Sequence, residues 1–162
     1  MFAETLRKYI AVYATRTAEW GDVQVLDYRI PKGDMLVIDS ARAHLNPEYW
    51  DQGGHPAEEY WPERFLTATK SKNANDASRP TFSSDSHKGN WIPFGGGIHQ
   101  CPGRHWVKTQ MLVGFAHITA AFDIEIMHDE KSFTMDKVKY GMGAQLPAKK
   151  VAFRIRRKGE TS

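Results

Sequence analysis

The chain has 162 residues, 41% of them hydrophobic and 25% charged, with a formal net charge of +3. That is one domain's worth of ordinary soluble composition, long enough to bury a core. It excludes a membrane-spanning run of ~18 apolar residues and, with a single cysteine, any internal disulfide.

The amino terminus reads without a signal-peptide core, and a lone thiol favours a reducing compartment, so this chain alone reads as soluble and cytoplasmic. The charge is uneven: "KKVAFRIRRK" (149–158) carries six positive charges and no acid, leaving the remainder net negative. A basic tail raises nucleic acid as a partner, but no recognised nucleic-acid module accompanies it. Val151, Phe153 and Ile155 alternate with polar neighbours, the pattern of a half-buried strand with a solvated basic face.

In chain order, "MFAETLRKYIAVY" spaces Phe2, Leu6 and Ile10 as a helix starting almost at Met1. Two strand-like runs follow, Val23–Leu26 and Met35–Ile38, joined through the turn residues of "IPKGD". The aromatic-rich stretch from Ala41 to Leu66 suggests packed coil. Residues 67–90 are polar and nearly free of large apolar side chains, so they read as a flexible insertion. "RHWVKTQMLVGFAHITAAF" (104–122) has the length and pattern of a buried helix, and "DIEIMH" reads as a strand. "KYGMGAQLPAKKVAFRIRR" reads as a glycine-containing turn feeding a final strand, a small carboxyl-terminal hairpin.

The lone cysteine, Cys101, lies in "NWIPFGGGIHQCPGRHW" (90–106). Three glycines let backbone approach a partner closely, as if flattened against a surface. Pro102 suits the first position of a helix, which would put Cys101 at its N-cap, beside unpaired N–H groups and the positive end of the dipole. Such a place favours a thiolate. A thiolate beside a flat, glycine-lined surface fits the proximal side of an iron porphyrin. Alternatives remain on these residues alone. A dinucleotide or phosphate loop lacks its spacing, and zinc with His99 or His105 lacks a four-ligand set. A nucleophilic cysteine paired with one of seven histidines stays open, as does an inert buried thiol.

The stretch Phe94-Gly95-Gly96-Gly97-Ile98-His99-Gln100-Cys101-Pro102-Gly103-Arg104 resembles the haem-binding signature of the cytochrome P-450 superfamily, Phe-x-x-Gly-x-Arg/His-x-Cys-x-Gly, in its eukaryotic, often fungal, wording. Two further motifs stand in the right order. Glu4 and Arg7 of "ETLR" match the family's Glu-x-x-Arg, and Arg64 of "WPERFL" matches its Pro-Glu-Arg-Phe element. Alone, Glu4 and Arg7 would be a trivial helix-surface pair. The resemblance implies instead a buried ionic triad of Glu4, Arg7 and Arg64.

It further implies haem b as cofactor, with Cys101 as the axial thiolate on iron. Phe94 would shield the sulfur, Gly97 and Gly103 would give the ring room, and His99 would contact a propionate where many relatives carry arginine. Arg16 would be a second propionate partner. Val12–Thr15 and residues 140–146 resemble the last two substrate-recognition segments, with Met142 and Leu146 either lining a pocket or packed in a core. The expected fold is mainly α with small β elements, the carboxyl-terminal part of the P-450 fold: K helix, cysteine loop, L helix and terminal hairpin.

By resemblance the function is that of a monooxygenase inserting one oxygen atom from O2 into a small organic substrate, served by an NADPH-dependent reductase at the cytosolic face of the endoplasmic reticulum. The resemblance places this chain in the last third of that fold, without the long helix whose acid–alcohol pair activates oxygen and without a membrane anchor. Two readings follow: the haem-ligating portion of a monooxygenase, or a truncated or decayed fragment without catalysis that at most binds haem weakly. For the isolated polypeptide the second is preferred. Without partner helices, the 104–122 helix is expected to expose apolar surface and to associate.

Overall fold

The computed structural model describes residues 1–67, 80–129, 133–138 and 140–159. Helix α1, Phe2–Tyr9, buries Ala3 and Leu6 together with Glu4 and Arg7. Its first-turn Glu4 and last-turn Arg7 and Lys8 suit the helix dipole. It stops short of the expected Tyr13. From Ile10 the chain turns extended, and "IAVYATRT", rich in β-branched residues, forms strand β1, Ile10–Thr17.

The next two sequence expectations need correction. Val23–Val25 is strand β2, but it pairs with β3, Tyr28–Ile30, across the two-residue turn Leu26–Asp27. Leu26 takes φ +51 there, so the turn forms without the Asn-Gly or Asp-Gly signal that announces one in sequence. Strand β4, Met35–Asp39, runs antiparallel to β1 instead, with Tyr13 opposite Asp39 and Thr17 opposite Met35.

Asp39 then caps helix α2, Ser40–His44, accepting hydrogen bonds from the Ala41 and Arg42 N–H groups. Asn46 caps α3, Pro47–Trp50, whose first residue is a proline. A 3-10 helix at Pro62–Phe65 brings Arg64 and Phe65 inward. Ala3, Trp50, Ala57 and Phe65 form the core, with Tyr49 and Trp91 packed against it.

Of the stretch read as a flexible insertion, residues 68–79 lie outside the described residues. Its flanks pair: β5, Leu66–Thr67, lies antiparallel to β6, Thr81–Phe82. His87 beyond them is buried.

Helix α4, Arg104–Ala121, has none of its residues buried, unlike the buried helix expected. Phe115 and Ile118 are about half exposed, as the unpartnered reading anticipates. Strand β7, Phe122–Ile126, follows directly. The terminal hairpin is not formed as expected. Strand β8, Met142–Ala144, joins β1 as the third strand of its sheet, whereas β9, Phe153–Arg157, pairs with β7. That register sets Arg156 opposite Asp123 and Arg154 opposite Glu125, so the basic tail finds its acids on β7. Every residue of β9 is exposed rather than half-buried. Strand accounts for about as much of the described chain as α-helix, so a mainly α content is not confirmed.

Candidate functional site

Glu4 and Arg7 lie one turn apart on α1, and both side chains are fully buried. The Glu4 carboxylate accepts from Arg7 Nε and Nη2, both at 2.7 Å, a bidentate pair. It also accepts the Trp61 N–H at 2.9 Å. Arg64 Nε stands 3.7 Å from Glu4 Oε1, too long for a hydrogen bond but close enough for charge to act. The guanidinium of Arg64 donates instead to the carbonyls of Trp50, His55 and Pro56. Burial, followed by the neighbouring Arg7 cation, pushes the Arg64 pKa below its ordinary value.

The same cluster reaches forward. Arg7 Nη1 donates to the His44 carbonyl at 2.8 Å, and His44 Nε2 accepts the Ile92 N–H at 2.9 Å. The Trp91 indole N–H donates to the Ala3 carbonyl at 3.1 Å. His87 bridges Tyr49 through Nδ1 and the Arg64 carbonyl through Nε2, both at 3.0 Å. A carbonyl only accepts, so His87 Nε2 carries a proton, while the Tyr49 hydroxyl stands within hydrogen-bond reach of both His87 Nδ1 and the Ser86 carbonyl, the latter at 3.2 Å. His44 has the opposite tautomer, since its Nε2 accepts. Sequence reasoning missed His44, His87 and Trp91. Nothing in their spacing marks them, because each meets backbone groups far along the chain.

The loop that follows folds back on itself. The Cys101 N–H donates to the Phe94 carbonyl at 2.9 Å, closing the loop around the glycines. Gly95 and Gly97 take φ +71 and +67, conformations that side chains rarely adopt. A Cβ added at Gly95, Gly96 or Gly97 would meet nothing within 4 Å, so these glycines border open space.

Helix α4 begins later than expected. Its N-cap is Gly103, and Cys101 precedes it by two residues. The Cys101 carbonyl accepts from the Arg104 guanidinium at 3.1 Å and from the Arg104 N–H at 3.4 Å. The thiol stays near the helix mouth, with Sγ 3.8 Å from where a Gly103 Cβ would lie. Cys101 is exposed, which argues against an inert buried thiol.

Cys101, Phe94, Gly95 and His99 share one open depression with Val12–Arg16 of β1. Arg16 Nη2 donates to the Gly96 carbonyl at 2.8 Å, which ties β1 to the glycine run. Met142 and Leu146 are not among the residues lining this depression, and Met142 is 83% exposed. Among the described residues there is no group of three or more His, Cys, Asp or Glu able to hold a metal ion.

The cytochrome P-450 family model matches residues 1–153. The chain belongs to the cytochrome P-450 family. It is 31% identical to the cytochrome P-450 monooxygenase efuG of Hormonema carpetanum, over 98% of this chain and 31% of that protein. It is 34% identical to the cytochrome P-450 monooxygenase fsoE of Humicola fuscoatra, over 98% of this chain and 30% of that protein. Among solved structures, the retinoic acid-bound cyanobacterial CYP120A1 matches with a TM-score of 0.69 at 20% identity, over 96% of this chain and 31% of that one. That likeness carries the P-450 fold. The chain thus spans about a third of the length of the P-450 relatives it matches. No helix among the described residues is long and apolar enough to cross a membrane.

Proposed function

We propose that this chain supplies the haem-thiolate portion of a cytochrome P-450 monooxygenase, with Cys101 as the axial ligand to the iron of haem b. The observation that carries the reading is the exposed thiol of Cys101, set in a depression beside a glycine run whose outer face is open. A flat ring fits such a cradle, because Gly95–Gly97 present no side chain to hold it away. Bound there, an iron porphyrin would supply dioxygen activation, which the thiolate promotes by pushing electron density to the metal.

The protein's own groups have separate tasks. Phe94, half-buried at the loop's start, would cover the sulfur and limit water near it. His99 and Arg16 border one hollow with Thr15 and Trp20, and both would donate hydrogen bonds to carboxylates at the ring's edge, Arg16 with its positive charge. Gly103 would keep the space over the sulfur clear. Glu4, Arg7 and Arg64 would act from below, fixing the segment from which the loop departs. Val12–Thr15 would face the substrate, a small organic molecule. Electrons would come from an NADPH-dependent reductase.

The same openness also favours a second reading. The depression is open and Cys101 is exposed rather than covered, so the chain by itself would hold haem weakly and catalyse nothing. Titration of the purified chain with haemin, read by the reduced, carbonyl-bound absorption spectrum, separates these cases. A thiolate-type Soret band present in the wild type and lost in Cys101→Ser supports Cys101 as the ligand. A weak, substoichiometric band favours the second reading for the isolated chain, and a stoichiometric one overturns it. Identical spectra for wild type and Cys101→Ser would overturn the assignment of Cys101.

A further inference from the structure

His44 is a fully buried histidine far from the cysteine motif in sequence, yet it touches both ends of the site's support. Its carbonyl receives Arg7 Nη1, and its ring nitrogen Nε2 receives the Ile92 N–H. Ile92 is followed by buried Pro93 and then by Phe94, whose carbonyl receives the Cys101 N–H. One continuous path of hydrogen bonds and two peptide links therefore joins the Glu4–Arg7 ion pair to the backbone of Cys101.

We propose that His44 is a positioning residue for the cysteine loop, holding its entry at Ile92–Phe94 onto the Glu4–Arg7 pair through an acceptor at Nε2. The consequence for haem ligation rests on the reading of Cys101 given above. The clamp itself does not.

Three features support it. The Ile92 N–H is the last hydrogen-bonded anchor before a proline, which has no N–H of its own to fix the chain. Trp91, one residue earlier, is pinned to the Ala3 carbonyl, so two consecutive residues are fastened to different elements and the direction of departure is set. Finally, His44 Nδ1 is buried and makes no hydrogen bond of good geometry, drawn only weakly by the Ile10 and Arg7 carbonyls. A polar atom left so is costly, and an apolar residue would avoid the cost if the site asked only for bulk.

The test uses the whole chain and acceptors placed differently. In His44→Gln the amide oxygen reaches the Nε2 position, in His44→Asn only the Nδ1 position, and His44→Leu offers none. Amide exchange followed by NMR in the haem-free chain should leave Ile92 protection within about threefold of wild type in His44→Gln. It should fall about tenfold in His44→Asn and His44→Leu, the loss expected for one hydrogen bond. The Trp61 amide, bonded to Glu4, serves as the unaffected control.

With haemin added, the thiolate share of the carbonyl-bound spectrum should follow the same order, His44→Gln above His44→Asn. Should His44→Leu fail to fold, the Gln and Asn pair still decides. Equal Ile92 exchange in Gln and Asn, wild-type protection in Leu, or failure of Gln to fold would overturn the proposal. Absence of any thiolate band in the wild type would instead strike the reading of Cys101, leaving the exchange result to stand on its own.

Discussion

Glu4 Oε1 and Arg64 Nε lie 3.7 Å apart with neither side chain exposed, although α1 and the 3-10 helix at Pro62–Phe65 are distant in sequence. With Arg7 on the same carboxylate, one buried anion faces two buried cations. Removing the anion takes the ion pair from Arg7 and leaves Arg64 with only the weaker attraction of Glu59 and Asp51. Glu4→Gln should therefore cost about 3–5 kcal/mol, enough to unfold a marginal domain. The exposed Arg29–Asp22 pair gives the contrast, since Arg29→Ala should cost less than about 1 kcal/mol. Urea unfolding of the two variants measures both, and equal losses would remove the special place given to the cluster.

Acid should weaken the fold through His44. Desolvation by burial drives its pKa from 6.5 down to about 4, against the smaller pull of the Ile10 and Arg7 carbonyls and of Asp39, and Arg7 adds to the lowering. Between those values the unfolded chain takes up a proton that the folded chain refuses. Stability is then fully present above pH 6.5 and declines as pH falls toward 4, by at most about 3 kcal/mol. His87, also pushed down by desolvation, acts in the same direction. Thermal midpoints across that window should fall with pH in the wild type and fall less in His44→Gln.

The helix at Phe2–Tyr9, the loop motif and the long helix from Arg104 were legible because each follows a local rule of spacing or backbone chemistry. Strand partners were not. Val23–Val25 carries the same alternation whether it pairs with Tyr28–Ile30 or with Met35–Asp39, and only the unusual backbone of Leu26 selects the nearer one. The carboxyl-terminal run likewise pairs with β7 rather than β8, a choice fixed by tertiary placement and by the opposing acids Asp123 and Glu125. Glu4, Arg7, Arg64 and Cys101 were found by motif. His44 was not, because its use depends on a backbone N–H at Ile92 that no pattern of side chains encodes.

Leu26 offers a gain in stability. Its φ of +51 is left-handed, and its side chain is 86% exposed, so it contributes little packing in return. Relief of that conformation by Leu26→Gly should stabilise the chain by about 1 kcal/mol, offset in part by the freer unfolded state. Leu26→Asn should gain a similar amount. A drop in the urea midpoint for both would show that the turn is not strained.

Association is expected from α4. Trp106, Phe115 and Ile118 are each about half exposed or more, along with Leu112 and Val113 on the same helix. Sedimentation should find the chain self-associated at micromolar concentration, and Phe115→Glu with Ile118→Glu should shift it toward monomer. Circular dichroism would confirm that α4 survives both substitutions. A monomeric wild type would contradict the expectation.

Gly141 connects the third strand of the β1 sheet to the depression that holds Cys101. Its carbonyl accepts the Tyr13 N–H at 3.0 Å, and it sits at φ +83. A Cβ there would come within 2.3 Å of the Tyr13 ring, which lines the depression. Gly141→Ala should cost about 2 kcal/mol from backbone conformation and the displaced ring together. Tyr13→Ala in the same chain should recover the part due to the ring, leaving only the backbone cost. If the double variant instead loses the sum of the two single losses, the ring was never in the way, and Tyr13 is free to move within the depression without Gly141 setting its place.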